Sequence, residues 1–516
     1  MKRNLFYSFW FLLSIIQAFA TELFDDEAYY WVYSKYLDWG YFDHPPMIAW
    51  LIKAGTWLIP GELGVRILLV ILGTATIACI EYLTQPKNPN LFYGIILGVA
   101  VLQIGGFMAV PDIPLLFFAS VFFIAYKKYT ETFSWLSALG LSISIALLLY
   151  SKYHGLLLVV FTLLSHLSLL KKPQTWFVMV CSIFFFWPHV NWQLQHDLPS
   201  LQYHLHERLS PPYRISFTTD FLVGQLLITG PLIGWLIIWS ALRNYPKQVF
   251  QKAMYWSIVG TYLIFFVSSF RSRTEANWTI ALLTPLIVLS YPHIESNLKW
   301  KNWIVKSLPV TLVLIFALRI YMVLDIKPIL PKDEFHKNKE WVSKIKSSAK
   351  GRPVVFTNSY QRASKYWFYS GDTAFSLNTY RYRRSNYNIW PVEEHVFGKE
   401  VFVAGSLGAA SLPDTIQTLR FQFAFESIPA FRSFSRVSFS SLHPLQVDAK
   451  GSLEAALKMD AVSQSALDSA LKYRPRVMLL IYPKGKLEPI FIPSGKRLFP
   501  DYVNMMYLRV PIPDSI

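Results

Sequence analysis

Residues 64–84 read GVRILLVILGTATIACIEYLT, an apolar run with its few charges near the two ends. A helix needs about 20 mostly apolar residues to cross the hydrocarbon core of a bilayer, and this run has that length. Working outward, comparable runs fall near 4–20, 91–107, 112–126, 135–151, 155–170, 175–190, 220–241, 253–270, 277–292 and 302–324. The expected fold is therefore a mainly α-helical integral membrane domain over 1–325, with about eleven transmembrane helices. Composition agrees: of 516 residues, 53% are hydrophobic and 16% charged, against roughly 25% charged in soluble domains. Disordered and collagen-like chains are excluded. The two cysteines, Cys79 and Cys181, both lie inside apolar runs, which excludes a disulfide scaffold.

The net charge of +17 would point to nucleic acid in a soluble protein, but here the cations sit in the loops. With Lys2 and Arg3 in the cytoplasm, alternation of the spans puts Lys87, Lys127–Lys128, Lys171–Lys172, Arg243, Lys247, Lys252, Lys299 and Lys301 on the same side. That is the positive-inside pattern, and no nucleic-acid partner is expected. The outer side receives 21–63, the 107–112 turn, Lys152–His154, the 191–219 loop, 271–276 and the chain after 325. Lys2-Arg3, the apolar run and Ala18-Phe19-Ala20 also fit a cleavable signal peptide. Residues 1–20 would then be lost and the other spans kept.

From 326 to 516 the composition turns polar. Short β-rich runs, Val354–Thr357, Val401–Ala404, Arg476–Tyr482 and Met506–Val510, alternate with helical patterns such as Ser364–Tyr369 and Leu453–Leu471. This predicts a C-terminal soluble α/β domain on the outer side.

Ionisable groups beside lipid need a reason, and here they gather on the outer face. The first outer segment holds Asp25-Asp26-Glu27, then Asp43-His44 stiffened by Pro45-Pro46. Between them Tyr29, Tyr30, Trp31, Tyr33, Tyr36 and Trp39 suggest a helix lying in the interface with its rings at headgroup level. Further outer groups are Asp112 between two prolines, Lys152-Tyr153-His154, and Arg271, Arg273, Glu275 and Asn277. Each has an ordinary reading. Asp112 can cap a helix, Lys152 can snorkel, and the arginines can anchor the interface. Against these, cations on the outer side run counter to the positive-inside rule. A carboxylate base near cations that hold a phosphate suits one chemistry. A hydroxyl is deprotonated and attacks a sugar C1, and a lipid phosphate leaves. Asp25, Asp26, Asp43 and His44 could also ligate a divalent cation, yet no spacing reads as a defined metal motif and no cofactor is required.

Asp26-Glu27-Ala28-Tyr29-Tyr30-Trp31, followed by Tyr41-Phe42-Asp43-His44-Pro45-Pro46-Met47, resembles the first outer loop of the protein O-mannosyltransferase and aminoarabinose transferase superfamily. The likeness continues in Pro111-Asp112-Ile113-Pro114-Leu115, Ser151-Lys152-Tyr153-His154-Gly155, Asn191-Trp192-Gln193-Leu194-Gln195-His196-Asp197 and Arg273-Thr274-Glu275-Ala276-Asn277-Trp278. It covers most of 1–290 and is closer to bacterial members, since the tail lacks the β-trefoil insert of the eukaryotic enzymes. The resemblance implies a polytopic GT-C glycosyltransferase of the bacterial inner membrane, with its active site and C-terminal domain in the periplasm. It implies a polyprenyl-phosphate sugar donor, a lipid, glycan or protein acceptor, and an inverting single displacement. The base it implies is Asp26, with Glu27 as neighbour and Asp25 as an extra carboxylate that leaves the choice between Asp25 and Asp26 open. Asp43 and His44 would shape a substrate pocket together with Asp112 and Tyr153. Lys152, Arg271 and Arg273, near Glu275 and Asn277, would serve the lipid phosphate. A lipid-linked sugar flippase and a non-catalytic membrane scaffold are the rival classes. A flippase should carry ionisable groups through the membrane to both faces, and a scaffold does not account for carboxylates opposite outer arginines.

Overall fold

The computed structural model describes residues 2–203, 212–325, 333–378, 382–405 and 414–433, and beyond them strand backbone only. The helices are α1 (Arg3–Ala20), α2 (Asp25–Tyr33), α3 (Met47–Leu58), α4 (Gly61–Thr84), α5 (Pro89–Gly98), α6 (Ala100–Ile104), α7 (Asp112–Thr132), α8 (Trp135–Ser151) and α9 (Gly155–Leu164). They continue with α10 (Pro173–Gln195), α11 (Pro199–Gln202), α12 (Ile215–Thr229), α13 (Gly234–Leu242), α14 (Val249–Ser269), α15 (Leu283–Ser296), α16 (Leu298–Val323), α17 (Asn338–Ala349) and α18 (Tyr360–Ser370).

Each of the eleven apolar runs is helical. Four helices, α4, α7, α10 and α16, are long and apolar enough to cross a membrane unaided. Two more crossings arise if the bent pairs α1–α2 and α12–α13 each count as one. The first pair turns by 90° and the second by 97°. The second break falls at Gly230, whose φ of +146° only glycine adopts without strain. Some runs are split: 91–107 becomes α5 and α6, and 155–170 ends in a 3-10 turn over Leu167–Lys171.

The chain divides into two compact units. The first comprises Met1–Gly351, Ser359–Ala374 and Asp414–Ala424. The helical unit thus reaches past residue 325 and takes in α17 and α18. These helices are amphipathic, with Trp341, Val342 and Ile345 buried on one and Ala363, Tyr366 and Trp367 on the other. The core of the bundle is a continuous cluster that includes Phe6, Trp10, Ile77, Phe92, Leu115, Phe122, Leu148, Ile237, Ile258 and Ile287. A buried Arg319 fastens α16 to α1 and α6 through Leu13 O (3.1 Å), Gln103 O (2.9 Å) and Gln103 Oε1 (2.8 Å).

The bundle has two chemically different ends. One gathers α2, the 105–112 turn, the α8–α9 corner and the end of α10. The other gathers the basic connections. There Arg3 pairs with Glu81 (3.3 Å), Asn88 N–H donates to Glu295 (2.6 Å), Lys127 lies over Phe250, and Lys172 over Phe133.

In the second unit β1 (Val354–Thr357) lies between β2 (Ala374–Leu377) and β3 (Val401–Ala404). β1 and β3 are parallel, with Val355 opposite Val403. After β4 (Asp414–Gln417), which groups with the first unit, the end of β5 (Gln422–Ile428) runs antiparallel to β3, Val401 opposite Ile428. Further on, β6 (Phe439–Ser441), β7 (Gln446–Val447), β8 (Ser452–Met459) and β11 (Met505–Pro511) form one antiparallel sheet, and β9 (Arg476–Ile481) pairs with β10 (Ile490–Arg497). The helix predicted over 453–471 is corrected here. Residues 452–459 are a strand, paired with β11 over 452–458, and 460–475 lie outside the described residues. Leu, Glu, Ala and Lys favour a helix in isolation, but propensity is a weak prior that strand pairing overrides.

Candidate functional site

The three consecutive carboxylates at the start of α2 have three different surroundings. Glu27 is fully buried. Its oxygens accept from Arg66 Nε (2.8 Å) and Nη2 (2.5 Å), from Ala109 N–H (2.6 Å), and from Phe24 N–H (2.9 Å) at the mouth of its own helix. Arg66, equally buried, also donates to Ala18 O, Thr21 O and Glu22 O at 2.6–3.0 Å. These bonds satisfy the carbonyls left open where α1 ends and fix the 90° corner from which α2 departs. Glu27 is thus committed to holding the corner.

Asp25 accepts from Lys365 Nζ at 2.5 Å, and its N–H faces Glu334 Oε2 at 3.4 Å. Asp26 is half-buried. It lies close enough to Tyr30 that its charge, after burial itself, is the next cause of the Tyr30 hydroxyl holding its proton well above the ordinary range; Asp43 and Asp112 act on the same hydroxyl.

The aromatic rings of α2 face protein rather than headgroups. Tyr29, Tyr30 and Tyr33 are buried, Tyr29 lies 4.3 Å from Tyr360, and Trp31 meets Trp367 and Phe368 edge-on. The reason is the return of α18 onto α2, which the sequence pattern does not announce.

The 34–47 segment is clamped by α10 and α11. Trp192 Nε1 donates to Asp38 (2.7 Å), His189 Nδ1 meets Trp39 O (2.7 Å), and Ser200 Oγ donates to Phe42 O (2.8 Å). Gly40 sits directly under the Trp192 ring, where a Cβ would collide. Beyond the clamp, Tyr33 O–H reaches Asp43 Oδ2 (3.3 Å), Tyr33 stacks on Tyr41 at 4.0 Å, and His44 meets Tyr30 edge-on at 5.6 Å. Asp43 and His44 are thereby brought to the Tyr30 face that Asp26 also approaches.

Asp112, at the first turn of α7, and Lys152, at the end of α8, meet at 2.9 Å with both side chains buried. Asn277 Nδ2 adds a bond to Asp112 Oδ2 at 3.3 Å. Tyr153 O–H contacts His189 Nε2 (2.9 Å) and Ser200 Oγ (3.1 Å) and accepts from Gln193 Nε2 (3.0 Å). Arg271 stands exposed after α14, and Arg273 pairs with Glu275 at 2.9 Å, also exposed. Lys152 is thus buried at this end, as Arg66 and Lys365 are, whereas Arg271 and Arg273 are exposed.

Sequence reasoning missed three groups. Arg66 reads as part of a span, although a charge in the first turn of an apolar run is itself a signal. Lys365 and Glu334 lie far along the chain in segments without a motif. Burial, then the nearby Asp25 charge, pushes the Glu334 carboxyl up to about 7. Among the described residues no three His, Cys, Asp or Glu side chains converge as a metal-binding set. An apolar cavity of about 340 Å³ within α7–α10, lined by Phe122, Ile145, Leu149, Val159, Met179 and Phe186, contains none of these charged groups.

Comparison with known proteins follows the same lines. A family model described as dolichyl-phosphate-mannose-protein mannosyltransferase matches residues 43–192. A curated relative, lipid A galacturonosyltransferase RgtD of Rhizobium johnstonii, is 25% identical over 308 residues, 56% of this chain. The match spans 64% of that relative's length. Two solved structures share the fold: ArnT from Cupriavidus metallidurans without ligand (TM-score 0.61) and bound to undecaprenyl phosphate (TM-score 0.59). Each is 12% identical, and each match covers 82% of this chain and 97% of the ArnT chain.

Proposed function

From an ArnT-like GT-C fold carrying the mannosyltransferase-family segment, we propose that the chain is a membrane glycosyltransferase. It moves a sugar from a polyprenyl-phosphate carrier to an acceptor hydroxyl on the periplasmic side of the bacterial inner membrane. The polyprenyl carrier is favoured because one ArnT structure holds undecaprenyl phosphate, and a lipid acceptor over a glycan or protein because the curated relative is by its name a lipid A galacturonosyltransferase. The observation that carries the reading is the convergence at one end of the bundle: α2 with its carboxylates, Asp43 reached by Tyr33 of that helix, and the 105–112 turn that Ala109 N–H ties to Glu27, with Asp112 joined to the buried Lys152. The periplasmic side of this proposal rests on the positive-inside rule: the basic connections lie at the other end, and eleven crossings are expected from the apolar runs.

Asp26 is the base of this proposal. Its carboxylate takes the acceptor O–H proton, the acceptor oxygen bonds to the sugar C1, and the C1–O bond to phosphate breaks with its electron pair going to the phosphate. Attack and departure on opposite faces invert the anomeric centre. Lys152, held at 2.9 Å by Asp112, offers positive charge where charge develops on the leaving phosphate, and Arg271 and Arg273 attract the carrier at the rim. Asp43 and His44 shape the pocket wall on the Tyr30 side. The step as written calls on no cofactor. Reconstitution in vesicles with labelled polyprenyl-phosphate sugars, galacturonosyl first, and lipid A as acceptor tests it. Label moved to lipid A with release of polyprenyl phosphate supports the enzyme; intact carrier moved across the bilayer supports a flippase.

A further inference from the structure

We propose that Lys365 is a positioning residue for the transfer, one that holds Asp25 in an ion pair and so sets the charge felt by the neighbouring base Asp26. The inference rests on the assignment of Asp26 above. It starts from an oddity: the cation belongs to α18, hundreds of residues from the carboxylate it serves, and is itself almost fully buried. An ammonium leaves water at high cost unless it is paired and hydrogen-bonded. Lys365 is both. It reaches Asp25 Oδ1 at 2.5 Å, Glu334 O at 2.8 Å and Asn338 Oδ1 at 3.2 Å, so its three donors are all used.

Charged groups approach from several segments. From α2 come Asp25 and Asp26. From the segment before α17 come Glu334 and the Asp333–His336 pair at 3.0 Å. From 414–424 comes Arg420, whose Nη1 donates to Asn338 Oδ1 (3.1 Å) and His336 O (3.3 Å). Glu22 closes the group by accepting from Asn338 N–H at 2.7 Å. Two carboxyls, Asp25 and Glu334, therefore act on one buried lysine, and Asp26 is the chain neighbour of the first. Glu334 is the group that yields: burial and the Asp25 charge raise it to about 7, while Lys365 acts to lower it. Without the lysine the same pressure would fall on Asp26, whose charge already acts on Glu334.

The sign follows. An opposite charge nearby favours the ionised carboxylate, and a like charge disfavours it. Loss of Lys365 raises the pH at which Asp26 becomes a base, and loss of the Asp25 charge, which leaves the lysine in place, lowers it. Glu334 holds its proton to about 7 and adds no charge over the acid limb. The experiment is the pH profile of kcat/KM for sugar transfer by full-length Lys365→Met, Lys365→Arg, Asp25→Asn/Lys365→Met and Asp25→Asn in proteoliposomes. The acid limb should move up by about one pH unit in Lys365→Met. It should return in Lys365→Arg and in the double variant, which removes cation and carboxylate together, and move down in Asp25→Asn. If Lys365→Met fails to fold, Asp25→Asn against the double variant still decides. An acid limb unmoved in Asp25→Asn, and in Lys365→Met where it folds, overturns the inference. Asp26→Asn retaining full transfer would overturn the underlying assignment, a separate result.

Discussion

Replacing Glu27 by Gln asks which of the α2 carboxylates carries chemistry and which carries the fold. The carboxylate accepts four hydrogen bonds, two on each oxygen: Arg66 Nε and Ala109 N–H on Oε1, Arg66 Nη2 and Phe24 N–H on Oε2. Glutamine has one accepting oxygen, so one pair of donors would face an amide N–H₂ instead. The Arg66 guanidinium would also lose its counter-charge in a site with no exposure. Breaking a buried ion pair by removing one partner costs about 3–5 kcal/mol, and two lost charged hydrogen bonds at about 1.5–3 kcal/mol each give the same range. Unfolding in detergent, followed by tryptophan fluorescence, should show the variant destabilised by about that amount. The folded fraction should keep its turnover within about tenfold, some 1.4 kcal/mol of barrier. An unchanged unfolding midpoint with turnover lost by orders of magnitude would refute the reasoning and make Glu27 a chemical group.

Other outcomes follow from the same geometry. Lys152→Met should destabilise strongly, since it leaves Asp112 buried and unpaired, by about 3–5 kcal/mol. Adding Asp112→Asn should restore much of that stability without restoring transfer; recovery of activity would remove the pair from the phosphate role. Trp192→Phe loses the 2.7 Å bond to Asp38, about 1 kcal/mol. It should lower kcat through a misplaced Asp43–His44 loop, and unaltered kinetics would show the clamp to be idle. Transfer rates measured after exhaustive chelation should equal those before, and a loss restored by a divalent cation would require a metal in the proposed step.

Much of the bundle was legible because hydropathy reports burial in lipid directly, and every apolar run is helical. The broken runs were legible only as short ones: the Gly230 corner looks like any glycine until its φ is seen. The polar end was legible as a set of loops on one side, since helix direction alternates. The contacts were not. Asp112, Lys152 and Asn277 meet across 165 residues of sequence, and nothing local distinguishes that meeting from a cap and a snorkelling lysine. The adjacent residues Asp25, Asp26 and Glu27 look equivalent in sequence. They are separated by what lies opposite: Lys365 for the first, the Tyr30 face for the second, Arg66 for the third. Those partners are set by tertiary packing, as is strand β8, whose helix-forming residues are held by their pairing with β11.

The most direct measurement is single-turnover sugar transfer by Asp26→Asn alongside Asp25→Asn, both reconstituted at matched levels with labelled polyprenyl-phosphate sugar and lipid A. Loss of a general base costs roughly 10²- to 10⁴-fold. The account predicts that loss in Asp26→Asn with donor binding retained, and a smaller one in Asp25→Asn. Transfer by Asp26→Asn at the unmodified rate would contradict it.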